Sequence, residues 1–103
     1  MSQKSSILID ILNVEAELRK IRQDNSYRKI KQIIQKFSQL RGGFITIPSP
    51  ENFDKQITLR KNTDEFREAV EQYEDKINVY NVKLKKLVDK RRFLEKKLFG
   101  LNR

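Results

Sequence analysis

The side chains with chemistry to offer in this chain are cations. Lys83, Lys85, Lys86, Lys90, Arg91, Arg92, Lys96 and Lys97 all fall between positions 83 and 97. At helical spacing, Lys83, Lys86, Lys90 and Lys97 spread along one side of a helix. Such a stripe can meet phosphates about one turn apart and hold nucleic acid in a salt-dependent, largely sequence-independent way. Lys83, Lys86, Lys90, Arg91, Arg92, Lys96 and Lys97 are therefore the candidate polyanion-binding residues. The competing reading is a solvated helix flank, partly neutralised by Asp10, Glu15 and Glu17. A second run, Arg28, Lys29 and Lys31, stands beside Tyr27 in the aromatic-plus-basic mixture of RNA binders. Tyr27 also fits an apolar seam, which leaves it no face for stacking on a base.

Catalytic chemistry has little to work with. The chain has no Cys and no His, so thiol and imidazole nucleophiles, disulfides and the best soft metal ligands are all missing. Gly42-Gly43 precedes a β-branched run instead of a helix, so no phosphate-cradling loop is expected there. Asp64, Glu65, Glu68, Glu71, Glu74 and Asp75 lie on what reads as an open helix face with basic neighbours. Nothing in such a setting raises a carboxyl pKa for acid–base work. The expectation is a protein that is not an enzyme, with no cofactor, no metal and no small-molecule substrate.

The elements that must carry these residues follow from apolar spacing. Phe66, Val70, Tyr73, Ile77, Tyr80, Leu84, Leu87, Arg91, Leu94, Leu98 and Leu101 follow one another in steps of 4 and 3. An average of 3.5 residues held over that length predicts a coiled-coil seam on a helix over 63–99. Asn62 or Thr63 can cap its start, with Asp64 and Glu65 in the first turn, and Gly100 marks its expected end. The N-terminal half repeats the steps through Ile7, Ile11, Val14, Leu18 and Ile21, then breaks at Asn25 and resumes as Tyr27, Ile30, Ile34 and Phe37. A helix over 3–41, kinked or split near Asn25, satisfies that pattern. Between the helices, Phe44–Ile47 and Gln56–Arg60 bracket a Pro- and Asn-containing turn, and the 44–60 segment reads as a short β-hairpin-like tip.

Charge sets the expected direction of pairing. Residues 1–18 carry net −2, residues 19–41 net +7, residues 63–82 net −4 and residues 83–103 net +7. Folding back around the central segment brings opposite signs together along both halves, whereas parallel pairing of two chains opposes like blocks. The expected fold is thus all-α dominated: one domain over 1–103, an antiparallel two-helix coiled-coil hairpin with a β-like tip. In that register Asn25 faces Tyr80, and Arg91 faces Asn13 or Asp10. Each polar slot either fixes register or snorkels to water, and Arg91 has a further reading as a buried anion-binding group.

Off the seam, Val79, Val82, Val88, Phe93 and Phe99 are apolar side chains that a two-helix coil leaves over, and they are the candidate partner interface. The layout of helix, β-hairpin and helix in about a hundred residues resembles the prefoldin β-type chaperone subunits. Ile57 through Phe66, reading Ile-Thr-Leu-Arg-Lys-Asn-Thr-Asp-Glu-Phe, is similar to their strand-to-helix passage. That resemblance implies a subunit that joins a β-barrel with sister chains and grips unfolded clients with its helix tips.

Three functions follow as expectations. The first is a non-catalytic interaction or scaffold subunit of a larger assembly, engaging a protein partner or itself. The second is a basic nucleic-acid-binding accessory or regulatory protein, and the third a prefoldin-like holdase subunit. Asp10 interrupts the early apolar run Ile7–Leu12 and no cleavage site follows, so no signal peptide is expected. No apolar stretch is long enough to span a membrane. An intracellular setting, cytoplasmic or with the nucleoid or nucleus, is the default expectation, with no membrane partner.

Overall fold

The computed structural model describes residues 3–101. It is helix-dominated, with a small antiparallel sheet: α1 (Gln3–Arg22), α2 (Asn25–Ser38), β1 (Phe44–Pro48), β2 (Gln56–Arg60) and α3 (Asp64–Leu101). The helix expected over 3–41 is two helices. Gln23 N–H still donates to the Arg19 carbonyl at 3.0 Å and Asp24 N–H tightens to the Ile21 carbonyl at 3.1 Å, after which the chain restarts at Asn25. Asp24, Asn25 and Ser26 favour this because their short polar side chains compete with the helical ladder for backbone groups. No helix among the described residues is long and apolar enough to cross a membrane.

The elements sort into two compact units. The first comprises residues 3–24 and 80–101, that is α1 with the C-terminal part of α3. Its core is Ile11, Val14, Leu18 and Leu94, with Ile7, Leu84, Leu87, Val88 and Leu98 half-buried against it. The two segments run antiparallel: Gln3, Ser6, Ile7 and Asp10 share a depression with Leu94, Lys97 and Leu101, whereas Leu18 and Arg22 share one with Arg91. Gly100, expected to end the helix, lies inside α3 and adopts no positive φ. Helical packing of Leu98 on the core carries the last turn past it.

The second unit spans Asn25–Val79. Here α2 contributes Tyr27, Ile30 and Ile33 to the core, β1 contributes Ile45 and Ile47, and α3 contributes Ala69 and Tyr73. Ile33 is more deeply buried than Ile34, the residue the 4-and-3 spacing selects. The cause is that α2 shares its unit with both a helix and a strand, and two neighbours cover a wider arc than a single seam does. Strands β1 and β2 pair from Phe44↔Arg60 to Pro48↔Gln56. Ser49 N–H then closes the loop on the Lys55 carbonyl at 2.7 Å, and the Asn52 side chain accepts from Asp54 N–H at 3.0 Å.

A two-stranded ribbon is marginal alone, and this one is pinned from α3. Tyr73 is fully buried and its hydroxyl donates to the Pro48 carbonyl at 2.6 Å. Its ring stacks on Phe53 of the loop at 6.2 Å and tilts against Phe37 of α2 at 5.9 Å, while Phe37 meets Phe66 edge-on at 5.6 Å. Burial pushes the Tyr73 phenol above its ordinary pKa.

The passage from β2 into α3 is set by two residues. Asn62 takes a left-handed φ of 68°, a conformation Asn tolerates better than most side chains. Thr63 then caps the helix: its hydroxyl accepts from Phe66 N–H at 3.2 Å and donates to the Arg60 carbonyl at 2.7 Å. Of the two expected caps, Thr63 is the one used, and Asn62 turns the chain into it.

Candidate functional site

The net charge is concentrated in the first unit. Residues 1–24 and 80–103 carry thirteen Lys and Arg against six acids, net +7, leaving only +2 for residues 25–79. On α3, Lys83, Lys86, Lys90 and Lys97 are all exposed. At 1.5 Å rise per residue their stripe spans about 21 Å along the helix. Arg92 and Lys96 lie beside Glu95 and Phe99 around a separate shallow depression of about 360 Å³. The seven polyanion candidates therefore do not form one row.

Arg91 occupies the one charged slot in the α3 series that packs on α1. It pairs with Glu95, one turn along its own helix, with Nε 3.7 Å from Oε1. This corrects the expected pairing across to Asp10 or Asn13: the i,i+4 neighbour is reached without crossing the apolar seam. The separation is beyond hydrogen-bond reach, and Nε is buried with no hydrogen-bond partner. Arg91 also lines a cleft of about 300 Å³ with Glu15, Leu18, Arg19, Arg22 and Gln23. Sequence reasoning left Arg19 and Arg22 out of the candidate set. The available signal was their place at the start of the +7 block of residues 19–41.

Of the five interface candidates, Val79 is 57% exposed, Val82 53%, Phe93 59% and Phe99 65%. Val88 is half-buried and packs on the core of its unit. The Lys97 ammonium sits 4.8 Å from the Phe93 ring centroid, so this exposed aromatic carries a cation on its face. Leu8, Ile9 and Leu12 of α1 are exposed as well. They were not singled out from the sequence because they sit beside seam residues in one continuous apolar run.

The second basic run behaves differently. Lys31 lies over the Tyr27 ring at 5.4 Å, and Lys29 and Lys76 lie over Phe53 at 5.4 and 5.8 Å. Tyr27 itself is buried and is not open to a base, and Phe53 is half-buried with one face on Tyr73. Among the described residues no three acidic groups are placed to hold a metal ion. The chain matches no family model, no curated protein and no solved structure.

Proposed function

We propose that this chain is a non-catalytic interaction or scaffold subunit, built as an antiparallel two-helix coiled-coil hairpin with a β tip, that docks a protein partner or a second copy of itself. The single observation carrying the reading is that Val82 and Phe93 stand more than half exposed on a unit that already has an apolar core. Large apolar side chains left mostly in water contribute little to the fold, whereas on an interface such side chains supply much of the binding energy. The 3.5-residue spacing kept from Phe66 to Leu101 supports the coiled-coil description.

Sedimentation of the purified protein over a concentration series tests it. The expected result is an oligomer insensitive to salt that Val82→Ser with Phe93→Ser shifts toward monomer. A species that stays monomeric at every concentration and shifts only with nucleic acid overturns it. That second outcome belongs to the alternative reading, a basic nucleic-acid-binding accessory protein, which the concentration of net +7 in one unit favours. Adding a mixed-sequence duplex and an RNA to the same runs, at low and high salt, separates the two.

A further inference from the structure

We propose that the cleft between the end of α1 and Arg91 is an oxyanion site that takes a phosphoryl group, gripped by Arg19, Arg22 and Arg91. The inference does not depend on which partner the apolar side chains engage. Its first support is the position of Arg91. Leu84, Leu87, Leu94 and Leu98 occupy the neighbouring slots of the series that packs on α1, and a leucine at 91 would extend that packing. Arg91 instead leaves Nε buried without a hydrogen bond and has only a 3.7 Å contact to an exposed carboxylate in return. As a packing residue it is a poor choice, and as a ligand-binding residue it is a reasonable one.

The second support is what it meets. Arg19 and Arg22 lie one turn apart on α1 and line the same cleft as Arg91, so three arginines share it with Glu15, while Glu95 stands 3.7 Å from Arg91 Nε. Like charges so placed repel one another, and an anion between them relieves that repulsion. Guanidinium is planar and presents paired donors that match phosphate oxygens two at a time, and Gln23 also lines the cleft. The cleft volume of about 300 Å³ leaves room for an ester or a second phosphate beyond the bound one.

The end of α1 works against an anion. The last turn of α1 points its carbonyls toward this end, the negative pole of the helix. The arginine charges must outweigh that pole, and a multiply charged phosphoryl group, with more charge and more acceptor oxygens, gains more from them than a carboxylate or chloride does. Two sources share that chemistry: a free phosphate compound and the backbone of a nucleic acid.

Thermal unfolding of the full chain with inorganic pyrophosphate, at ionic strength held constant with potassium chloride, tests the site. The melting temperature is expected to rise with pyrophosphate and not with acetate. Arg91→Leu should keep or raise the ligand-free melting temperature and abolish the rise. Arg91→Lys, which keeps the charge but loses the fork, should weaken apparent affinity on the order of tenfold to a hundredfold with the fold intact. Displacement of pyrophosphate by a short duplex assigns the site to backbone phosphate, and failure to displace assigns it to a free phosphoryl compound. No rise, a rise matched by acetate, or a rise that survives both Arg91 variants overturns the proposal.

Discussion

At the scale of single residues, Tyr73 joins α3 to the loop, the first strand and α2 of the second unit. Its ring packs on Phe53 and Phe37 and its hydroxyl satisfies the Pro48 carbonyl. Tyr73→Phe keeps the ring and orphans that carbonyl, at an expected cost of about 1–3 kcal/mol in urea unfolding. The same phenol sets a pH dependence. Its folded pKa lies above the ordinary value of 10.0, so the folded state holds the proton more tightly than the unfolded one. That contribution is fully present below about pH 10 and is lost as pH climbs through the raised folded value. The alkaline loss of stability should therefore be steeper in the parent than in Tyr73→Phe, measured as the difference between the two chains. The sequence placed Tyr73 on the apolar side of its helix through the 4-and-3 steps. It could not show the partner of the hydroxyl, because Pro48 lies 25 residues away across a hairpin.

At the scale of elements, the joints decide where the helices begin. Thr63→Ala removes a hydroxyl that both caps α3 and anchors to Arg60, and should cost about 1–2 kcal/mol by thermal or urea unfolding. Asn62 tests the backbone separately: Asn62→Gly should be close to neutral, whereas Asn62→Val should cost about 1–2 kcal/mol because a β-branched side chain resists a φ of 68°. Unequal effects of these two changes would separate strain from capping. The cap, the break before Asn25 and the strand pair were legible because Thr, Asn, Asp and β-branched residues act through their own backbone. The width of the buried face of α2 was not legible. Spacing reports that a side of a helix is covered, but Ile33 is buried beside Ile34 because a strand as well as a helix lies within its unit, which no periodicity records.

At the scale of the whole molecule, charge is the property that the fold redistributes. The sequence places two blocks of net +7 apart, and the structure brings Arg19 and Arg22 from the first to Arg91 in the second. If the Lys83, Lys86, Lys90 and Lys97 stripe neutralises duplex phosphates, log K should fall against log salt with a slope of roughly −4, near 0.9 per contact. A slope near zero, read from the same salt series by anisotropy, would remove that stripe from the binding surface. The length of α3 carries a different consequence. It runs without interruption from Asp64 to Leu101 and supplies residues to both units, while Gln23 and Asp24 form the chain link between α1 and α2. Everything that holds α1 in the first unit is therefore a set of side-chain contacts with one stretch of α3, and every other copy of the protein displays the same stretch. Were two copies to trade α1 reciprocally, the intertwined pair would be held by the contacts of the single chain.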